Sequence, residues 1–123
     1  MRIRVGLGYD VHQLKAGRPC VLGGVLFESE LGPDGHSDAD VLLHAVCDAI
    51  LGAAGLRDIG YHFPNTDQSF KDADSKKLLM EVIRLIKKEG FRVGNIDATL
   101  VSEQPKISPR IQGIKESIAD LCE

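Results

Sequence analysis

The chain has 123 residues, of which 43% are hydrophobic and 27% charged, with a formal net charge of −3 at pH 7. That length suits one domain, 1–123, with a real hydrophobic core, and the composition is ordinary for a globular protein. The acidic balance argues against a nucleic-acid surface, no apolar run approaches a membrane span, and the N-terminus lacks a secretory or transit pattern, so a cytoplasmic protein is expected.

Residues 3 to 12 alternate strictly, with Ile3, Val5, Leu7, Tyr9 and Val11 on one side and Arg4, Gly6, Gly8, Asp10 and His12 on the other. This predicts a half-buried strand whose glycines clear the polar face for something to approach. Cys20–Leu22 and Val25–Phe27 flank Gly23-Gly24, a β-hairpin signal. Residues 28 to 37 read as a loop. Ser37 reads as an N-cap, with Asp40 three residues on completing a capping-box pattern, and the helix runs to about Ala54 before Gly55. Residues 55 to 74 form a long irregular segment, of the kind that is usually functional or mobile. A second helix has Leu78, Leu79, Val82, Ile83 and Ile86 on its core face and Gly90 after it. Residues 96 to 101 alternate as another strand. Ser108-Pro109 opens a third helix lined by Ile111, Ile114, Ile118 and Leu121. The order implies an α+β fold, with helices packed on one face of a mixed β-sheet and a small hairpin near the N-terminus. Cys20, Cys47 and Cys122 form no CxxC pair and read as buried thiols of a reducing compartment.

The first helix holds the most informative pattern. Asp40, His44 and Asp48 follow one another at four-residue spacing, so they share a face of an otherwise apolar helix. Burying such groups without partners is costly, so the stripe is expected to face water, a partner or a cation. Asp10 and His12, two apart on a strand, project from one face. If helix and strand pack together, Asp10, His12 and His44 converge as one carboxylate and two imidazoles. That is a plausible zinc set with one position left open, and the same ligands also suit non-haem iron. Asp48 could orient an imidazole from behind. His36-Ser37, ahead of the helix, could hold a phosphate near backbone N–H groups, or could be a plain polar loop. Pro105-Lys106, between a strand end and a helix start, is a weaker signal of the same kind.

Taken in order, these pieces resemble the 2-C-methyl-D-erythritol 2,4-cyclodiphosphate synthase family. The resemblance rests on the runs 6–12, 23–25, 36–41, 43–45, 48–54, 58–60, 63–67, 71–75 and 94–97, among them Gly-Tyr-Asp-Val-His, His-Ser-Asp-Ala-Asp-Val and Phe-Pro-Asn-Thr-Asp. It implies a metal-dependent, CMP-releasing lyase of non-mevalonate isoprenoid biosynthesis. Its substrate would be 4-diphosphocytidyl-2-C-methyl-D-erythritol 2-phosphate. It implies a homotrimer with sheets toward the centre and active sites between subunits, and no nucleic-acid or membrane partner. By similarity, Asp10, His12 and His44 would bind Zn2+ or another divalent cation, and Mg2+ or Mn2+ would occupy a second site. His36 and Ser37 would contact substrate phosphate, with Lys106 also near the reacting groups. Asp10 and His12 would border the substrate. Asp58, Ile59, Gly60, Phe63, Pro64, Asn65, Thr66 and Asp67 would hold the methylerythritol end. Pro105 and Lys106 would hold the cytidine from the neighbouring subunit. Relatives continue past Glu123 with a strand, whose glutamate ligates the second metal, and a closing helix. The expectation is therefore that this 123-residue chain turns over poorly even where zinc binds. The same ligands could activate water in a zinc hydrolase, or serve a non-catalytic metal-binding scaffold.

Overall fold

The computed structural model describes residues 2–64, 66–70 and 74–123. In chain order the elements are β1 (Leu14–Ala16), β2 (Cys20–Leu22), β3 (Val25–Phe27), β4 (Leu31–Pro33), α1 (Val41–Ala53), α2 (Ile59–His62), α3 (Ser75–Lys88) and α4 (Ile111–Leu121). Short 3-10 turns lie at Gln68–Phe70 and Ser108–Arg110. The fold is α+β. No described helix is long and apolar enough to cross a membrane.

The hairpin forms as expected. Cys20 pairs with Phe27 and Leu22 with Val25, and Gly23 and Gly24 both take positive φ (62° and 79°), as a two-residue turn of this hand requires. A second antiparallel pair, β1 with β4, joins Leu14 to Pro33 and Ala16 to Leu31, which puts β4 inside the stretch 28–37 expected to be a plain loop. The two pairs stay separate, so the described residues contain two-stranded sheets and not one mixed sheet. Residues 2–13 and 92–101, which include the alternating stretches 3–12 and 96–101, likewise have no ladder partner among the described residues.

The helix boundary at Ser37 is corrected. Ala39 has φ +58°, a left-handed conformation that stops helical geometry, and Asp40 is the N-cap. Its carboxylate is fully buried and accepts three backbone N–H groups, Leu43 at 3.0 Å, Gly23 at 2.9 Å and Gly24 at 2.7 Å. One side chain therefore satisfies the start of α1 and fastens the hairpin turn to it, so Asp40 faces neither water nor a cation. Burial pushes its carboxyl up and the three N–H bonds work against that. At the other end Gly55 (φ 73°) closes α1. Its N–H reaches Gly52 O, and the Leu56 N–H reaches Leu51 O at 2.8 Å.

The core lies between α1 and α3, through Leu43, Cys47 and Leu51 on one side and Leu79, Val82 and Ile86 on the other. Ile114 and Ile118 of α4 close it near the hairpin, whereas Ile111 is 42% exposed and leaves the expected stripe. Cys20 and Cys47 are buried and Cys122 half-buried, all as free thiols that burial pushes up. The segment 2–12 runs along α1. Cβ atoms built on Gly6 and Gly8 would fall 1.8 Å from the carbonyl oxygens of Ala49 and Ala45. The polar, glycine-bearing face therefore lies on the helix, and what the glycines admit is helix backbone. The apolar face points outward, with Val5 91% and Leu7 92% exposed.

Candidate metal centre

Close passage of this segment over α1 brings Asp10 and His12 to His44. Oδ2 of Asp10 lies 2.8 Å from His12 Nε2 and 3.3 Å from His44 Nδ1, and the two ring nitrogens are 3.4 Å apart. The rings meet edge to face, with centroids 5.5 Å apart. Among the described residues this is the group that gathers three ligand atoms. Ligands about 2.05 Å from a tetrahedral ion stand roughly 3.3 Å from one another. Two of the three edges meet that value and the third is shorter.

Donor chemistry favours a cation here. Nδ1 of His12 lies 2.8 Å from the Asp34 carbonyl oxygen, which only accepts, so in the neutral ring Nδ1 carries the proton and Nε2 presents a lone pair to the centre. Asp10 Oδ2 is buried and accepts no well-aligned hydrogen bond. Lone pairs thus converge on one point, which suits a divalent ion. Without an ion the groups shift one another. Burial pushes Asp10 up, but His12 and His44 together outweigh it and hold its carboxyl far below the usual range. The Asp10 carboxylate raises His12 against the effect of burial.

His44 is buried, and Nε2, its other nitrogen, lies 2.8 Å from Ser75 Oγ and 3.1 Å from Ser37 Oγ. Ser75 was not anticipated, because a serine opening a helix reads as a cap. Asp38 stands behind it, taking the Ser75 N–H at 3.0 Å and the Ser75 hydroxyl. Asp48 does not take the expected place behind an imidazole. Its Oδ1 accepts the Ile59 N–H at 2.9 Å and so anchors the start of α2.

The other candidate residues surround this centre unevenly. Arg18 donates to the carbonyls of Pro33 (3.0 Å) and Ser37 (3.3 Å), holding the bend that carries His36 and Ser37. At the start of α1 the Leu43 N–H is taken by Asp40 and so is not open to an anion near this bend. His36 Nε2 lies 3.4 Å from Asp67 O, which joins the bend to the segment around Thr66. Asp67 itself accepts from the Ser69 N–H and hydroxyl, and its N–H reaches Pro64 O. Asp58 caps α2 through the Tyr61 N–H, ahead of Ile59 and Gly60. Phe63 packs partly against the core. Asn65 lies outside the described residues. Pro105 and Lys106 line a separate shallow hollow of about 140 Å³ with Leu100, Ser102 and Ile107, which shares no residue with the centre.

Residues 3–123 match the model of the YgbB family. A 2-C-methyl-D-erythritol 2,4-cyclodiphosphate synthase of Cytophaga hutchinsonii is 58% identical over 120 residues, covering 98% of this chain and 76% of the relative. Among solved structures, the bifunctional IspDF of Campylobacter jejuni superposes with a TM-score of 0.93 at 41% identity, covering 98% of this chain and 33% of that one. A CDP-bound 2C-methyl-D-erythritol-2,4-cyclodiphosphate synthase superposes with a TM-score of 0.81 at 36% identity, covering 97% and 79%.

Proposed function

The chain belongs to the YgbB family, and from that premise we propose that it is a cyclodiphosphate synthase of isoprenoid biosynthesis, releasing CMP from 4-diphosphocytidyl-2-C-methyl-D-erythritol 2-phosphate as the ring closes. The observation that carries the reading is the meeting of Asp10 Oδ2, His12 Nε2 and His44 Nδ1 beside Ser37. In the reaction an oxygen of the 2-phosphate attacks the β-phosphorus in line. The new P–O bond closes the ring, the bond to the α-phosphate breaks, and CMP leaves with the electron pair. The attacking oxygen is already ionised, so no general base is needed, and the work is positioning and charge stabilisation.

Asp10, His12 and His44 would hold zinc or another divalent cation, which when bound supplies positive charge against two mutually repelling phosphates. A second cation, Mg2+ or Mn2+, would ride mainly on the diphosphate. Ser37 Oγ accepts the Ala39 N–H beside His44 Nε2, and its hydroxyl would donate to a phosphate oxygen. His36, on the same bend, would add a second contact. The arc from Asp58 to Asp67, Asn65 included, would hold the methylerythritol end. Pro105 and Lys106 would hold the nucleotide, with the Lys106 ammonium beside its phosphate. Their separation from the centre fits a homotrimer in which a neighbouring subunit supplies them, and the exposed row of Ile3, Val5, Leu7 and Tyr9 gives such an assembly an apolar face to bury. A cytoplasmic location goes with this chemistry.

The test is product analysis by 31P NMR after incubation with substrate, Zn2+ and Mg2+. The cyclic diphosphate and CMP are expected in equal amounts. An opened monophosphate would instead mark a hydrolase, and failure to bind CMP at all would favour a non-catalytic scaffold.

A further inference from the structure

We propose that Asp38 and Ser75 are positioning residues for this centre. Through one directed chain of hydrogen bonds they hold His44 in the tautomer whose Nδ1 lone pair faces Asp10 and His12.

The direction follows from counting protons. A carboxylate only accepts. Asp38 Oδ2 takes the Ser75 N–H at 3.0 Å, and Oδ1 takes the Asp40 N–H at 3.1 Å together with the Ser75 hydroxyl. The single hydroxyl proton of Ser75 is thereby committed to Asp38. Toward His44 Nε2, 2.8 Å away, the Ser75 oxygen has only lone pairs to offer, so Nε2 must be the N–H. A neutral imidazole carries one such proton, which leaves Nδ1 bare.

This device has a competitor to overcome. Asp10 Oδ2 lies 3.3 Å from Nδ1 and would itself accept an N–H there. Two carboxylates thus contend for one ring proton, Asp10 directly and Asp38 through Ser75. If Asp10 won, a proton would stand where the cation belongs. Ser37 does not settle the contest, because its hydroxyl is uncommitted and can donate or accept. Ser75 is fully buried and His44 nearly so, which keeps water from replacing the link. Ser75 opens α3 and Asp38 precedes α1, so the seating of α3 on α1 sets the ring state.

The inference rests on the cation-binding reading above, and its test separates the two. In the cation-free chain at a pH where His44 is neutral, 15N NMR should show the Nε2–H tautomer. Ser75→Ala removes the acceptor. Asp38→Asn keeps the shape but turns an NH2 toward a Ser75 donor. Both variants should show a mixed or Nδ1–H tautomer and bind Zn2+, titrated alone by calorimetry, about 10–100-fold more weakly. Ser75→Thr, which retains the hydroxyl, should keep the native tautomer and recover most of the affinity. The Nδ1–H form in the unmodified chain would overturn the proposal whether or not any variant folds. So would native tautomer and affinity in folded Ser75→Ala and Asp38→Asn. An unmodified chain that binds no Zn2+ yet shows the Nε2–H tautomer would instead remove the cation-binding reading.

Discussion

Gly8→Ala is expected to dismantle the centre from two residues away. A Cβ at Gly8 would sit 1.8 Å from the Ala45 carbonyl oxygen and 2.8 Å from both the Ala45 carbonyl carbon and the Ala49 nitrogen. All three are backbone atoms of α1, so no rotamer change relieves the clash. Restoring even a tight contact of 3.0 Å requires the segment to lift by about 1.2 Å. Asp10 rides on that segment, and its Oδ2 stands 3.3 Å from His44 Nδ1. Metal–ligand distances tolerate only about 0.2 Å, so a sixth of that lift is all the centre can absorb. Overpacking costs about 1–3 kcal/mol, and backbone against backbone places this case at the upper end. The expected result is a loss of about 3 kcal/mol in urea denaturation, with loss of stoichiometric Zn2+ in calorimetry. Gly52→Ala is the control. It is an exposed helical position with nothing within 4 Å of a built Cβ, so it should gain about 0.5–1 kcal/mol. A Gly8→Ala chain with native urea midpoint and native affinity would refute the claim that this contact registers Asp10 against His44.

Three further outcomes are expected. His44→Ala should abolish Zn2+ binding while far-UV circular dichroism keeps its helical signal, and a stoichiometric ion in that variant would refute the ligand assignment. Asp40→Ala orphans the N–H groups of Gly23, Gly24 and Leu43, each worth about 1–3 kcal/mol when unsatisfied, so urea denaturation should show a loss of at least about 3 kcal/mol. A change under about 1 kcal/mol would mean that the carboxylate is not the joint described. The pH dependence of thermal stability should reverse with loading. His12 is raised above 6.5 in the cation-free fold, so its contribution is complete below that value and fades as pH climbs through the raised one. Asp10 is depressed below 3.8, so its contribution holds above that value and disappears only as pH falls through the depressed one. As pH climbs from 6.5 through the raised value, cation-free protein should therefore lose stability, while Zn2+ binding, which needs the neutral ring, strengthens. Melting curves with and without chelator across that window would decide it, and parallel slopes would count against the pairing.

The sequence exposed the centre because its ligands obey local periodicities. Asp10 and His12 share a face at a spacing of two, and His44 interrupts an apolar helix where a core residue should stand. The supporting shell was hidden for the opposite reason. Ser75, Asp38 and the carbonyl of Asp34 act through contacts between distant stretches, and each is of a residue type that reads locally as a cap or a turn. Asp40 reads as the second half of a capping box, because nothing in the residue names announces the left-handed Ala39 that moves the helix start. The strands β1 and β4 escaped because three residues, one run being Leu-Gly-Pro, are too short to show alternation. The alternating stretches 3–12 and 96–101, without a ladder partner among the described residues, show the converse. Alternation marks a two-faced extended chain, but a ladder also needs a neighbour.

The Asp10, His12 and His44 arrangement also works as a clasp. Asp34 steadies one ligand and Ser75 another, so four stretches of chain, around residues 10, 34, 44 and 75, close on a single point. A metal seated there behaves as a reversible cross-link between parts that share no covalent bond. With the free ion at a hundred times its dissociation constant, binding to the folded form alone adds about 2.7 kcal/mol. Starvation for the metal would then loosen the architecture along with the chemistry.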